Sequence, residues 1–521
     1  MLKSIYDPRY EQRVKTPKGV YRGFLQRTTY HFLGLPYGKA ERWQPAVPLE
    51  PWPGIVNCMQ FGDVCPTFSG YKPLDDNFIP RPFFNKSEDC LNINIWTQSI
   101  DPEAKKPVFF WIHGGGFADG SSLTQLSYDG EALSTYGDIV FVSVNARLNI
   151  WGYLDVSDYG EEYKDSSVCG MSDIVLALQW VQENIKYFGG DPENVTIGGQ
   201  SGGGGKATAL MQIPAADGLY HKVIVQSGVR SVSDRKVEKD FSDKVVELML
   251  KKIGSSDFKD LKELDRDVLV DTYMAIEPEL KACGYSSMGW GPREGEYFTG
   301  YALRDGFTEY GKKVPFLTGS NISEFGKNGM PGKDALSEAE REAKLAELTG
   351  GKDPAALIDA YRKAWPGKNI LEARWLDDQY RPYVKEYCSL KAAASEAPVW
   401  NYIFALEFPY NGGTAAWHSS EIPIVFHNSD LYPEFTKLGK VMEEMEEQMC
   451  SAWVSFMRTG DPNNEKLPLA WPRYRADAPR TYVFDRQCEV KDGEFDTELQ
   501  KIYAEYHFPK PGPAELNKKP E

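Results

Sequence analysis

Histidine and cysteine are scarce in this chain, with 6 and 8 residues among 521. Eight cysteines are too few for a disulfide-built fold. No Cys, His and Asp residues recur at the spacing of a zinc site, so neither metal nor organic cofactor is expected. Basic charge is also in deficit: 59 Lys and Arg face 75 Asp and Glu, a net charge of −16. Without a basic cluster to neutralise phosphates, nucleic acid and anionic membrane surfaces are excluded as partners. Polar residues interrupt every apolar run well before 18 residues, so no membrane span is expected. There is no tandem repeat and no low-complexity linker, which leaves a single domain over residues 1–521 as the expectation. Met1–Asp7 contains no apolar stretch of signal-peptide length, and Lys518-Lys-Pro-Glu521 is neither a retention nor a peroxisomal signal. The chain as written therefore reads as cytoplasmic, or as secreted if a leader has been removed. The three Asn-x-Ser/Thr sites, at Asn85, Asn194 and Asn321, are what chance supplies in such a length. The Pro- and Lys-rich tail, 508–521, is expected to fray. Oligomeric state is not legible.

What is present is an ordinary globular composition, 41% hydrophobic and 26% charged, arranged in an informative order. Between about 105 and 230, short β-branched runs alternate with helical periodicity, the mark of a parallel sheet with crossover helices. Val108–Ile112, Ile139–Ser143, Val195–Ile197 and Val223–Val225 read as buried strands, and Ile174–Val181 has helical spacing. Val314–Thr318 and Trp400–Phe404 read as further strands. Helices are expected near 239–253, 337–348, 354–364 and 386–396. Another, near 436–458, presents Leu438, Val441, Met442, Met445, Met449, Trp453 and Phe456 on one face. That stripe is read as core, with Glu443, Glu444, Glu446 and Glu447 on the solvated side.

Two glycine motifs carry the chemistry. Gly199-Gln-Ser201-Gly-Gly203 follows an expected strand and opens an expected helix, the context of a nucleophile elbow. A strand-to-helix turn that sharp brings backbones together, and only residues without side chains there let the serine project. A phosphate loop is the competing reading, but no Gly-Lys-Ser/Thr follows. Upstream, His113-Gly-Gly-Gly116 ends a strand. Such a turn can aim the N–H groups of Gly115 and Gly116 at a developing oxyanion, with the N–H of Gly202 as a third donor. His113 itself is read as structural.

With these motifs in hand, the chain resembles the type-B carboxylesterase family of α/β-hydrolases, which includes carboxylesterases, cholinesterases and fungal lipases. The resemblance runs from about Val20 to Tyr474 through Ser87-Glu-Asp-Cys-Leu-Asn-Ile-Asn94, Val144-Asn-Ala-Arg-Leu148, Phe188-Gly-Gly-Asp-Pro192, Gln226-Ser-Gly228 and Gly460-Asp-Pro-Asn463. It implies an α/β-hydrolase fold, a large, mostly parallel central sheet flanked by helices, with the loop 65–90 and the regions 235–310 and 325–395 bordering a gorge. It further implies a serine carboxylesterase acting on an uncharged ester or lactone through an acyl-enzyme. A lipase-like or acyl-transferring relative is the alternative, and a non-enzymatic adhesion scaffold is disfavoured by the intact motifs. On the family pattern Ser201 is the nucleophile, Glu324 in Gly319-Ser-Asn-Ile-Ser-Glu324 the acid, and His418 in Trp417-His418-Ser-Ser-Glu421 the base. Ser227 and Gln200 would stand behind them, and Cys65 and Cys90 match a family disulfide.

The chain also departs from the family. Residues 66–89 contain no tryptophan for cation–π recognition of choline, and Gln200 supplies no carboxylate before the serine, so choline esters are not expected substrates. Phe325 stands where glycine is common. Gly202 replaces the usual alanine and is followed by Gly204 and Gly205, each a residue costing about 1 kcal/mol in a helix relative to alanine. Two readings are open: Gly202 serves only through its N–H, so that Gly202→Ala leaves small-ester hydrolysis nearly intact and modestly raises stability, or the missing methyl makes room for a bulky substrate, so that Gly202→Ala spares short esters and depresses large ones; the further glycines that follow favour the second.

Overall fold

Consecutive apolar residues in the sequence become strands covered on both faces. The computed structural model describes residues 10–68, 74–231, 239–286, 289–327, 329–395, 397–506 and 508. The readings made for Met1–Asp7 and for the tail beyond 508 lie outside them. By proximity the chain divides into two units. One holds the residues up to Asp75, Pro80–Val225 and Ser231–Val314; the other holds Asp76–Ile79, Gln226–Arg230 and the chain from Pro315.

The first unit contains the strands β1 (Glu11–Lys15), β2 (Val20–Gln26), β3 (Thr29–Pro36), β4 (Asn92–Thr97), β5 (Lys106–Ile112), β6 (Val140–Val144), β7 (Gly190–Gln200) and β8 (Lys222–Gln226). They lie in the order β1-β2-β3-β4-β6-β5-β7-β8. The run from β1 to β4, and β4 against β6, is antiparallel. Next to it β6, β5 and β7 are parallel, as the alternating pattern predicts. Every residue of β6 and every residue of β5 after Lys106 is buried, so these strands read as continuous apolar runs instead of alternating ones. The antiparallel N-terminal strands escaped the sequence reading because their polar residues, such as Arg22 and Gln26, break up the apolar runs.

The motifs quoted above turn out to be joints of this unit. Asn145 donates from Nδ2 to Asn92 Oδ1 at 3.0 Å and accepts from the N–H of Ser122 at 2.9 Å. Asn94 donates to the hydroxyls of Ser122 and Ser143, each at 3.1 Å. Arg147 makes a two-pronged, fully buried ion pair with Asp173, at 2.8 and 2.7 Å, on the helix Cys169–Asn184.

In the second unit β9 (Phe316–Asn321), β10 (Val399–Phe404) and β11 (Arg480–Phe484) are parallel neighbours, and β12 (Glu489–Asp492) closes the edge antiparallel. The helix expected near 386–396 begins earlier, at Arg381. The Asp377 carboxylate accepts from the N–H groups of Gln379, Tyr380 and Arg381, which fixes its start. The Met-rich helix begins at Lys440, after Gly439 at φ +52°. Met442, Met445, Met449, Trp453 and Phe456 are buried as expected. Glu446 is not simply solvated: it accepts from the N–H of Ser429 and pairs with His427 at 3.2 Å. Among the described residues no helix is long and apolar enough to cross a membrane. Asn321 is fully buried, which removes it as a glycan acceptor in the folded chain.

Replacing Asp173 by Asn would leave the Arg147 guanidinium buried and uncompensated, so a loss of about 3–5 kcal/mol is expected. It would be read as a lowered urea midpoint of the first unit. A midpoint equal to the wild-type value would show that water or another group takes over the charge.

Candidate active site

In the first unit, the strand β7 ends at Gln200 and the helix Gly202–Leu210 begins one residue later. Ser201 alone makes the turn, at φ +57° and ψ −125°. An L-residue with a side chain avoids this region, so the surroundings hold it there, as a nucleophile elbow requires.

Those surroundings are largely backbone. A Cβ on Gly202 would overlap N, Cα and O of Gly116, and one on Gly203 would overlap the carbonyl oxygen of Ile112. The His113–Gly116 turn thus lies against the first residues of the helix with no side chain between. Gln200 lies beneath it, its Oε1 3.4 Å from where a Cβ of Gly114 would be. The space opened by the missing methyl of Gly202 is therefore filled by the main chain of Gly116. This corrects the expectation that it accommodates substrate.

The turn is held from behind through its carbonyls. Gly115 O accepts from the N–H of Asp119 at 2.9 Å, Gly114 O from Nδ1 of His113 at 2.7 Å, and Gly116 O from Nζ of Lys206 at 2.6 Å. The His113 ring is buried and stays neutral: burial, then the neighbouring Lys206 charge, push its pKa down to about 3. Its geometry is that of a structural residue. Among the described residues, none accepts from the N–H groups of Gly115, Gly116 or Gly202.

Cys65 and Cys90, the pair that the resemblance links by a disulfide, are buried side by side in this unit. The Cys65 sulfur accepts from the N–H of Leu148 at 3.2 Å. The hydrogen bond with Cys65, and then burial, push the Cys90 thiol well up, which leaves it unreactive.

In the second unit, Glu324 sits after β9 and His418 in the segment following Trp417. His418 Nδ1 and Glu324 Oε2 are 2.5 Å apart, and the N–H of His418 donates to the Glu324 carbonyl at 2.8 Å. The other carboxylate oxygen of Glu324 accepts from the Ser227 hydroxyl at 2.6 Å and the N–H of Asn321 at 2.7 Å. Ser227 thus supports the acid directly. Burial alone would lower the His418 pKa, but the Glu324 charge and hydrogen bond outweigh it and raise it above the ordinary 6.5. Glu421 is occupied by Asn321 Nδ2 at 2.7 Å and Gln226 Nε2 at 3.1 Å, and burial, then the Glu324 charge, push it up to about 7.

Sequence reasoning missed three groups here. The rings of Phe325 and Tyr380 lie nearly parallel to the His418 imidazole, at 5.8 and 5.5 Å between centroids. Phe325 was noted only as a departure, and nothing in the pattern around Tyr380 marked it. Asp377, which caps the helix at Arg381, is pushed up to about 7 by burial and then by Glu324. Lys206 carried a signal that could have been read: it is the lone charge in the small, apolar helix Gly202–Leu210.

A sequence model of the carboxylesterase family matches residues 10–365 and 374–502. Para-nitrobenzyl esterase of Bacillus subtilis is 30% identical over 504 residues, covering 94% of this chain and 98% of that one. Rabbit (Oryctolagus cuniculus) liver carboxylesterase 1 is 30% identical over 508 residues, covering 87% and 85%. Among solved structures, an esterase from anaerobic Clostridium hathewayi that can hydrolyse aliphatic aromatic polyesters superposes with a TM-score of 0.89 at 40% identity, over 95% of this chain and 98% of that one. The Geobacillus stearothermophilus carboxylesterase gives 0.73 at 31% identity, over 94% and 99%. The fold is the α/β-hydrolase fold expected from the sequence.

Two outcomes follow from this geometry. With His418 as the base that the sequence pattern implies, a raised His418 pKa means that kcat/KM is lost as pH falls through a value above 6.5, since a base must be neutral to accept a proton. In Glu324→Gln that acidic limb should move to lower pH while kcat drops by about 10³-fold or more; an unmoved limb would assign it to another group. For Gly202→Ala, the overlap must be relieved by displacing the Gly115–Gly116 donors, so kcat should fall about 10- to 100-fold on short and long esters alike. A loss confined to long esters would restore the substrate-space reading.

Proposed function

The chain belongs to the carboxylesterase family and is a serine carboxylic ester hydrolase of the EC 3.1.1 class; from that premise we propose that Ser201, His418 and Glu324 are its nucleophile, base and acid, with the N–H groups of Gly115, Gly116 and Gly202 as the oxyanion donors. The observation that carries the assignment is the Ser201 backbone, held at φ +57° between a strand and a helix.

The roles follow from the chemistry. Glu324 engages Nδ1 of His418, so Nε2 is the nitrogen that takes the Ser201 proton as Oγ attacks the ester carbonyl carbon. The carbonyl oxygen becomes an oxyanion and meets the three N–H donors. Collapse breaks the bond to the alcohol oxygen, which receives the proton from His418, and the acyl group stays on Ser201. Water then attacks the acyl carbon, giving a proton to the same imidazole; collapse breaks the bond to Ser201 Oγ, which takes that proton back, and the carboxylic acid leaves.

Within this class the substrate is an uncharged ester with an aromatic acyl or alcohol group. The flat ring of Phe325, half-buried beside His418, supports this, since an aryl group packs on such a face for about 0.5–1.5 kcal/mol beyond its area. The para-nitrobenzyl esterase and the polyester-hydrolysing relative point the same way.

A fluorophosphonate should add once, at Ser201, as read by intact mass and peptide mapping; folded protein without an adduct would sink the assignment. In a matched pair of phenyl and ethyl esters, Phe325→Ala should lower kcat/KM for the phenyl ester about 3- to 10-fold more than for the ethyl ester. Equal losses on both would remove Phe325 from substrate selection.

A further inference from the structure

Lys206 is buried, and neither of its hydrogen-bond partners is a carboxylate. Its ammonium donates to Gly116 O at 2.6 Å and reaches His113 O at 3.4 Å. It also lies 5.4 Å from the centre of the Phe117 ring. Stability does not explain such a residue. Burial without a counter-charge disfavours the ammonium and lowers its pKa to about 7, whereas a methionine of similar length would fill the volume without that cost.

What the ammonium does touch is specific. His113 and Gly116 are the first and last residues of the glycine turn, and their carbonyls converge on one Nζ. Between them lie the N–H groups of Gly115 and Gly116. A four-residue turn of three glycines has little side-chain packing to fix its peptide planes, and glycine loses more freedom on ordering than any other residue. A donor that fastens both ends from the helix carrying the nucleophile holds the turn and Ser201 in one frame.

We propose that Lys206 is a positioning residue for ester hydrolysis, its ammonium pinning the His113–Gly116 turn so that the oxyanion donors are in place before substrate binds. The inference rests on the assignment of Ser201 and its donors made above. Lys206 touches no reacting atom. Its effect is that the donors need no reorganisation when the oxyanion forms, which is where preorganised dipoles gain their advantage over water.

The test uses full-length protein with p-nitrophenyl acetate as substrate and an aryl trifluoromethyl ketone as a mimic of the tetrahedral adduct. Lys206→Met keeps the stem and removes the donor. It should lower kcat about 10- to 100-fold with KM within about threefold, and weaken the ketone by the same factor. Lys206→Gln, which keeps an N–H donor for Gly116 O, should recover most of that loss. The proposal is overturned by any of four results: kcat of Lys206→Met within about twofold of wild type, a loss in KM rather than kcat, no recovery in Lys206→Gln, or failure of both variants to fold. A wild-type protein that takes no fluorophosphonate at Ser201 would instead strike the catalytic assignment and leave the lysine's role without an object.

Discussion

The main chain of the His113–Gly116 turn lies against the main chain of Gly202 and Gly203, and much of the site is built around that approach. It requires glycine on the helix side, since a methyl on Gly202 would stand in the backbone of Gly116 and one on Gly203 in the carbonyl of Ile112. It places the N–H groups of the turn beside the residue that follows the nucleophile. The cost is a glycine run at the start of a helix, about 1 kcal/mol per residue relative to alanine. The chain accepts this because two strands of a buried parallel sheet, β5 and β7, deliver the two turns at neighbouring ends. Their paired registers, Ile112 beside Gly199, leave no latitude in where the turns meet.

The second unit gathers three buried carboxylates, Glu324, Glu421 and Asp377. The Glu324 charge acts on both Glu421 and Asp377, and like charges that close cannot all ionise cheaply. Glu421 and Asp377 are both pushed up to about 7, by burial first and by Glu324 second. Glu324 is held by the Ser227 hydroxyl, the N–H of Asn321 and the His418 ring. The flanking rings of Phe325 and Tyr380 restrict how that imidazole can turn.

Much of this was legible in the chain. The parallel strands were visible because residues buried on both faces read as unbroken apolar runs, and the elbow because close backbone approach admits only glycine. Glu324 and His418 were legible only through the family pattern; taken alone, each is one polar residue among many. The antiparallel strands β1–β3 were hidden by their polar residues. The role of Gly202 was misjudged because an absent methyl shows a space without showing what fills it. Glu446 was placed in solvent from helical period alone, yet His427 and Ser429, brought in by the preceding turns, partner it.

The most direct test of the account is to catch the covalent intermediate. Rapid quenching of the protein with excess p-nitrophenyl benzoate, followed by mass analysis of the peptides, should show a pre-steady burst of about one nitrophenol per chain and a benzoyl group on Ser201. Turnover that proceeds with the benzoyl group on another residue, or with no acylated peptide and no burst in Ser201→Ala and wild type alike, would contradict it.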